Sequence, residues 1–156
     1  PPAEKRKDLN GMKKISRHQM RENAFILVFE RIFNNDTAQE LLETARETEE
    51  IEITPEVEKM FLGVVANQPA IDDVISHNLK KWTMNRISKV SLAILRLGVY
   101  EIIYCDDVDD DITVSECVKL ASDYAYEDDI SFINGILGSI VRARNAEKAS
   151  APAEAD

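Results

Sequence analysis

The feature that most constrains the fold is a helical spacing of apolar residues that recurs along the chain. It is clearest between about residues 86 and 104, where one face holds Ile87, Val90, Ile94 and Leu97. Residues three and four apart lie on the same face of a helix, and no segment alternates as a strand would. Gly and Pro are scarce, at five each. The pattern predicts an all-α fold, a compact helical bundle with this segment in its middle.

Residues that favour the start of a helix precede these apolar segments. The candidate caps, in chain order, are Ser16, Asp36 or Thr37, Thr54, Thr113 and Ser131. Each has a side-chain oxygen that can accept a hydrogen bond from a backbone amide of the first turn. Ser16 predicts a helix from about Arg17 to Phe33. Pro69 predicts a break in the helix that follows Thr54, because proline has no backbone donor.

Composition predicts one ordered domain between two flexible tails. Residues 1–12 and 146–156 contain Pro, Ala, Glu and Lys without apolar periodicity. Residues 13–145 carry the helical signals, and the apolar content of 44% is enough to bury a core. The sequence has no run of about 18 apolar residues and no signal-peptide core near its start, so we expect a cytoplasmic protein.

Charge is distributed unevenly along the chain. The first 21 residues carry seven Lys and Arg against two acidic side chains, a balance of +5, and the remainder has a balance of −15. On a helix, Arg17 and Arg21 are one turn apart and point the same way, and Lys13 and Lys14 extend the charge before the helix. This pattern predicts a local site for a polyanion such as RNA. The alternative is a solubilising tail followed by two surface arginines.

The predicted first helix contains an unbroken apolar run, residues 24–29. Six consecutive apolar residues are too many for one core-facing stripe. Either the helix is buried on most sides, or part of the run is a docking surface for another protein. Burial is the more frequent case, and the docking interpretation stays open.

Motifs for catalysis or metal binding are weak or missing in the sequence. His77 has Asp73 four residues before it but no Cys or His at ligand spacing. The Asp-rich stretch 106–111 fails the EF-hand pattern, whose twelfth position is Cys117 instead of Glu. Neither GxGxxG nor GxxxxGK occurs. We therefore predict no enzyme, no cofactor and no metal site, with Cys105 and Cys117 reduced.

Four segments, taken in order, resemble one protein family. They read SRHQMRENA at residues 16–24, ILRLGVYE at 94–101, VSECVKLA at 114–121 and FINGIL at 132–137. Over roughly residues 13–143 the chain resembles the NusB family of bacterial transcription antitermination factors. The resemblance implies about seven helices in two subdomains and a non-enzymatic role. It also implies pairing with NusE, a small-subunit ribosomal protein, and binding to boxA-type RNA in nascent ribosomal RNA transcripts, which RNA polymerase then reads through.

The resemblance also assigns site residues. Together with the basic segment it predicts RNA contacts at Lys13, Lys14, Arg17, Arg21, Asp128 and Phe132. It places Phe29 beside the partner surface and matches Arg96 to an arginine of the family's central helix, for partner binding or for structure. His18, Gln19 and Met20 stand where several relatives are more basic. This dilution predicts that RNA binding leans more heavily on the partner, with Lys13 and Lys14 compensating.

Two other functions stay open at this point. A protein-interaction module without RNA contact would use the apolar run 24–29. An RNA cytosine methyltransferase is less favoured: NusB-like domains occur fused to such enzymes, but the catalytic domain and its cofactor loop are missing from this sequence. The sequence also leaves open whether the chain forms a homodimer.

Overall fold

The computed structural model describes residues 14–80 and 83–150. Over these residues the chain forms seven α-helices and one 3-10 helix, and no strand. The elements are α1 (Arg17–Ile32), α2 (Ala38–Thr48), α3 (Pro55–Ala66), α4 (Gln68–His77), the 3-10 helix (Met84–Arg86), α5 (Lys89–Tyr104), α6 (Asp110–Tyr124) and α7 (Glu127–Ser150). The predicted all-α fold of about seven helices is confirmed. None of the described helices is both long and apolar enough to cross a lipid bilayer.

The chain divides into two compact units between Gln68 and Pro69. In the first unit α1 packs against α2 and α3, and those two helices also contact each other. In the second unit α5, α6 and α7 pack against one another. The two units correspond to the two predicted subdomains. The predicted tail 1–12 and the neighbouring Lys13 lie outside the described residues.

Three predicted caps are confirmed in the first unit. Hydroxyl oxygens accept hydrogen bonds from backbone amides at Ser16 (from Gln19, 3.0 Å), Thr37 (from Glu40, 3.1 Å) and Thr54 (from Val57, 3.3 Å). The break predicted at Pro69 is also present. α3 ends at Ala66, and Pro69 is the second residue of α4, where an amide would have no partner within the helix.

Thr113 and Ser131 are not caps, and the prediction for both helices was wrong. α6 begins three residues before Thr113 and α7 four residues before Ser131. Aspartate and glutamate in a first turn stabilise a helix through its dipole. Residues 106–109 form a turn, but α6 takes Asp110 and Asp111 into its first turn, and α7 takes Glu127, Asp128 and Asp129 into its own. In α7 the Asp129 carboxylate also accepts a hydrogen bond from the Tyr126 amide at 3.3 Å.

The true role of Thr113 is a buried hydrogen bond between two helices. Its hydroxyl donates to the Glu101 carboxylate at 3.3 Å, and both side chains are buried. A buried carboxylate is costly unless it is hydrogen-bonded, so this contact ties α6 to α5.

α5 is central to the second unit, as predicted. Eleven of its sixteen residues are buried, which leaves little of any face to solvent. At Gly98 a Cβ atom would lie 2.8 Å from the Cys117 Sγ and 3.2 Å from a Leu137 methyl group. Glycine suits this position because an added Cβ would force a neighbouring side chain of α6 or α7 to shift.

The last helix is longer than the sequence predicts. α7 continues to Ser150, five residues beyond the boundary expected at residue 145. Residues 146–149 read Ala-Glu-Lys-Ala, which are strong helix formers, and Pro152 is the next helix breaker. The predicted C-terminal tail therefore starts as exposed helix, and residues 151–156 lie outside the described part of the chain.

Candidate nucleic-acid interface

The start of α1 carries two exposed cations. Lys14 precedes the Ser16 cap, Arg17 is the first helical residue, and both side chains are exposed. The first turn of α1 contains no acidic residue. The unpaired amides of a helix start also carry a partial positive charge. These groups together make the α1 entry, defined as Lys14 and Arg17, a favourable place for phosphate.

Arg21 does not share this surface. Its side chain is only 2% exposed, and it interacts with other groups of the protein. A buried guanidinium is stable only when it is paired or hydrogen-bonded, so Arg21 contributes to the fold. The expectation that Arg17 and Arg21 form one surface pair is wrong. A spacing of four residues puts two side chains on the same face of a helix, but it does not say how deeply each is buried.

Polar residues of the same segment hold α1 in place. The Gln19 amide nitrogen donates to the Asn23 side-chain oxygen at 2.8 Å and to the Glu22 carboxylate at 3.0 Å. The Asn23 amide in turn donates to the backbone carbonyl of Glu52 at 2.9 Å. This chain of hydrogen bonds ties α1 to the segment before α3. Gln19 and Asn23 therefore stabilise the fold within the segment 16–24.

Phe29 lies in a row of three aromatic side chains on α1. Its ring centroid is 6.1 Å from that of Phe25 and 5.1 Å from that of Phe33. Phe25 is buried, Phe29 is half-buried, and Phe33 is 65% exposed. The row therefore runs from the core to solvent. Sequence analysis missed Phe33 because it assigned the apolar run only as far as Phe29.

The apolar run 24–29 is buried over most of its length, as the more frequent interpretation predicts. Ala24, Phe25, Leu27 and Val28 are buried, and Ile26 and Phe29 are half-buried. Ile26 lines a pocket of about 170 Å³ whose acidic lining residues are Glu30, Asp36 and Glu50. Partial burial, and then the nearby Glu50 carboxylate, raise the pKa of Glu30 above its ordinary value of 4.5. This acidic pocket is suited to a basic group.

Arg96 is held by a carboxylate of its own unit. Its Nε donates to one Asp72 carboxylate oxygen at 2.8 Å, and a terminal guanidinium nitrogen donates to the other at 2.9 Å. Such a bidentate pair is strong and specific in geometry. It joins α5 to α4, which favours the structural role for Arg96 over direct contact with a partner.

Asp128 and Phe132 lie in the first turns of α7. Both line a pocket of about 380 Å³, the Phe132 pocket, together with Arg86, Ile87, Ser88 and Asp129. Arg86 and Asp128 are exposed, and Phe132 is half-buried. Sequence analysis did not identify Arg86, because its place beside α7 depends on how the segment before α5 folds.

The Phe132 pocket combines three kinds of contact that single-stranded RNA can use. An aromatic ring can stack on a base, and the Arg86 guanidinium can bind phosphate or stack. The Asp128 carboxylate can only accept hydrogen bonds, so it suits the amino group of a base edge and repels phosphate. The predicted RNA residues are thus divided between the units, with Lys14, Arg17 and Arg21 in the first and Asp128 and Phe132 in the second.

Comparison with known proteins finds the same family over most of the helical part of the chain. The NusB family model matches residues 18–142. The transcription antitermination protein NusB of Oceanobacillus iheyensis is 34% identical over 127 residues, which cover 81% of this chain and 99% of that protein. The structure of T. maritima NusB matches with a TM-score of 0.74 at 31% identity, covering 83% of this chain and 92% of that chain.

A third match comes from a solved assembly. A chain in the crystal structure of the antitermination factors NusB and NusE in complex with dsRNA has a TM-score of 0.72 at 27% identity, covering 81% of this chain and 96% of that chain. The described helices and the α1 entry define an all-α protein of two helical units with a cationic helix start. The chain belongs to the NusB family.

Proposed function

We propose that this protein is a transcription antitermination factor. It pairs with NusE and binds boxA-type single-stranded RNA in nascent ribosomal RNA transcripts, within the elongation complex of RNA polymerase in the cytoplasm. The observation that carries the proposal is the match of the helical body to proteins named as antitermination factors, one of them solved with NusE and RNA.

The charge distribution supports RNA binding at a few places on the surface and not over the whole surface. The chain has a net charge of −10, so most of its surface repels RNA. Lys14 and Arg17 at the α1 entry and Arg86 in the Phe132 pocket are exposed cations beside groups that suit phosphate or bases. RNA binding by these few cations alone is weak and salt-sensitive. A partner that extends the positive surface raises the affinity by linkage.

The negative net charge of the chain favours a basic protein as that partner. We assign the partner surface to the first unit, where Phe29 and the exposed Phe33 offer apolar contact and the pocket of Glu30, Asp36 and Glu50 offers charge. Attraction between opposite charges speeds the encounter, and aromatic anchors supply affinity. Arg96 contributes indirectly, because its pair with Asp72 positions α5.

A titration tests the RNA site. Fluorescence anisotropy of a labelled boxA-type RNA measures its binding to the wild type and to the double variant Lys14→Ala/Arg17→Ala, with NusE present, over a series of salt concentrations. We expect weaker binding and a salt slope that falls by about 0.7 for each phosphate that the variant no longer neutralises. A duplex RNA of the same sequence separates binding of single strands from binding of double strands.

The matched control removes the same charge elsewhere. Lys59→Ala/Lys148→Ala also takes away two exposed cations, and we expect it to leave RNA binding unchanged. If both double variants bind RNA as tightly as the wild type, the α1 entry is not an RNA site.

A protein-interaction module without RNA contact is the second candidate, favoured by Phe33 at 65% exposure. The same surface could serve a second copy of the chain as a homodimer. NusE titrations with and without RNA separate the candidates: an antitermination factor binds NusE and RNA with positive linkage. Sedimentation of Phe33→Ser against the wild type reports any self-association through this surface.

A further inference from the structure

A second pocket lies along α7 beside Phe132, and none of the binding sites proposed above includes it. The Gly135 pocket, of about 410 Å³, is lined by residues that include Asn78, Lys80, Phe132, Gly135, Ser139 and Arg142. It lies within the second unit and shares the Phe132 side chain with the Phe132 pocket. Its volume falls in the range of about 300–1,000 Å³ that is usual for small-ligand sites.

No described part of the chain approaches Gly135 closely enough to require glycine there. Among the residues that the structure describes, a Cβ atom placed there would meet nothing within 4 Å, and Gly135 is exposed in the middle of α7. Glycine at such a position destabilises a helix relative to alanine. Gly98 differs, since a Cβ there would lie 2.8 Å from Cys117 Sγ. The open space above Gly135 is therefore room for a group from outside the chain to approach the helix backbone.

The charge of the Gly135 pocket is unusual for this protein. Its described lining contains the exposed cations Lys80 and Arg142 and no carboxylate, in a chain whose net charge is −10. A basic protein partner would be repelled here, and an anionic ligand would be attracted. The half-buried Phe132 ring at the edge adds an apolar face that suits a base more than an acidic peptide.

The pocket wall is fixed by hydrogen bonds. The Ser139 hydroxyl on α7 donates to the Asn78 side-chain oxygen at 2.8 Å. The Asn78 amide nitrogen donates to the Val74 carbonyl at 2.9 Å, which secures the end of α4. Both polar ends of Asn78 are engaged, so α4 and α7 are held together beside the open face of Gly135.

We propose that the Gly135 pocket binds one nucleotide of single-stranded RNA, adjacent to the nucleotide at Phe132. The base or sugar lies against the bare backbone at Gly135, and Lys80 and Arg142 bind the flanking phosphates. This proposal rests on the proposed RNA-binding function and adds a subsite to it. The close approach needs a hydrogen atom in place of a methyl group at residue 135.

Gly135→Ala tests the proposal because it has opposite effects on the protein and on the complex. We expect the Tm to rise by about 1–4 °C, since alanine favours helix and its methyl group meets no neighbour among the described residues. We expect the Kd for boxA-type single-stranded RNA, measured by anisotropy with NusE present, to rise at least about fivefold, the lower range for removing the support of one base. Asn134→Ala is the control, because Asn134 is exposed on α7 and does not line this pocket.

The outcomes are distinct. A more stable Gly135→Ala protein with weakened RNA binding, beside a control within twofold of the wild type, supports the subsite. Wild-type RNA affinity in Gly135→Ala, while Lys14→Ala/Arg17→Ala loses affinity, rejects the subsite and leaves the proposed function standing. A lower Tm, or an equal loss of NusE binding without RNA, also rejects it. A wild-type chain that binds no RNA overturns the proposed function itself.

Discussion

Arg17 and Arg21 are one helical turn apart, yet their surroundings differ. Arg17 is exposed at the start of α1, whereas Arg21 is 2% exposed and engaged with other groups. The two arginines therefore have different roles: Arg17 is available to bind a ligand, and Arg21 stabilises the fold. A variant that removes both arginines would confuse RNA binding with stability, so the variant that tests the RNA site keeps Arg21 intact.

Arg21→Ala is expected to lower the free energy of unfolding by about 2–4 kcal/mol, because it removes buried packing and leaves its partner groups without their cation. Arg17→Ala should change the stability by less than about 0.5 kcal/mol, as surface substitutions do. Urea unfolding followed by circular dichroism measures both. Equal, small effects would contradict the structural role of Arg21.

Glu30 makes stability depend on pH. The raised pKa of this carboxyl means that the folded protein holds the proton more tightly than the unfolded chain does. The contribution of Glu30 is thus fully present below its ordinary pKa of 4.5 and is lost as the pH rises through the higher folded value. We expect Glu30→Gln to have a higher Tm than the wild type at pH 7, with the difference shrinking toward pH 4.5.

The control for this pH series is Glu43→Gln, which removes an exposed carboxylate from α2. Melting curves between pH 4 and pH 7 for the three proteins give the comparison. If the Tm difference between Glu30→Gln and the wild type grew as the pH fell, the pH dependence would be opposite to the one expected and the explanation would be refuted.

At the scale of the helix, two glycines in family-like motifs have opposite environments. Gly98 lies where α5 meets α6 and α7, and Gly135 faces open space on α7. The Arg96–Asp72 ion pair connects α5 to α4. The second unit therefore combines a close approach at Gly98, the Arg96–Asp72 ion pair and the buried Thr113–Glu101 hydrogen bond. Capped helices occur in both units, since the Ser88 hydroxyl accepts a hydrogen bond from the Ser91 amide at the start of α5.

Gly98→Ala is expected to destabilise the protein by about 1–3 kcal/mol, because the added methyl would lie 2.8 Å from Cys117 Sγ and force the packed helices apart. Gly135→Ala, the same change in open space, should stabilise it by about 0.5–1 kcal/mol. Denaturant midpoints of the two variants measure this contrast. A stabilising Gly98→Ala would show that the helices have room for a methyl group between them.

Arg96→Ala is expected to cost about 1–3 kcal/mol, since it strands the half-buried Asp72 carboxylate. Arg96→Lys should recover only part of this, because lysine cannot bind both oxygens with a planar fork. Lys119→Ala serves as control: its pair with Glu116 is a single contact on a side chain 61% exposed, and such pairs contribute little. Full rescue by lysine would argue against the bidentate geometry.

Local chemistry made the helices predictable, and tertiary packing made much of the site unpredictable. The caps at Ser16, Thr37 and Thr54 follow from side chains that act on their own first turn. The early starts of α6 and α7 were missed because aspartates suit both loops and first turns. Arg86 and the Gly135 pocket were missed because each joins segments that are distant in sequence, which periodicity cannot bring together.

Across the whole molecule, a small cationic region is set in an acidic protein. The first 21 residues have a charge balance of +5 and the remainder −15. Such a distribution directs an anionic transcript to a few places and attracts a basic protein to the others. On the proposed function we expect RNA affinity and partner affinity to be coupled, because each ligand neutralises the charge that repels the other.

Photo-crosslinking of boxA-type RNA to the NusE-bound protein, followed by peptide mass spectrometry, tests the division between the cationic and acidic surfaces most directly. We expect crosslinks to peptides that contain Lys14 and Arg17 and to the start of α7 around Phe132. We expect none to the acidic pocket of Glu30 and Glu50. Crosslinks confined to that acidic surface, with Lys14, Arg17 and Phe132 unlabelled in a complex that forms normally, would contradict it.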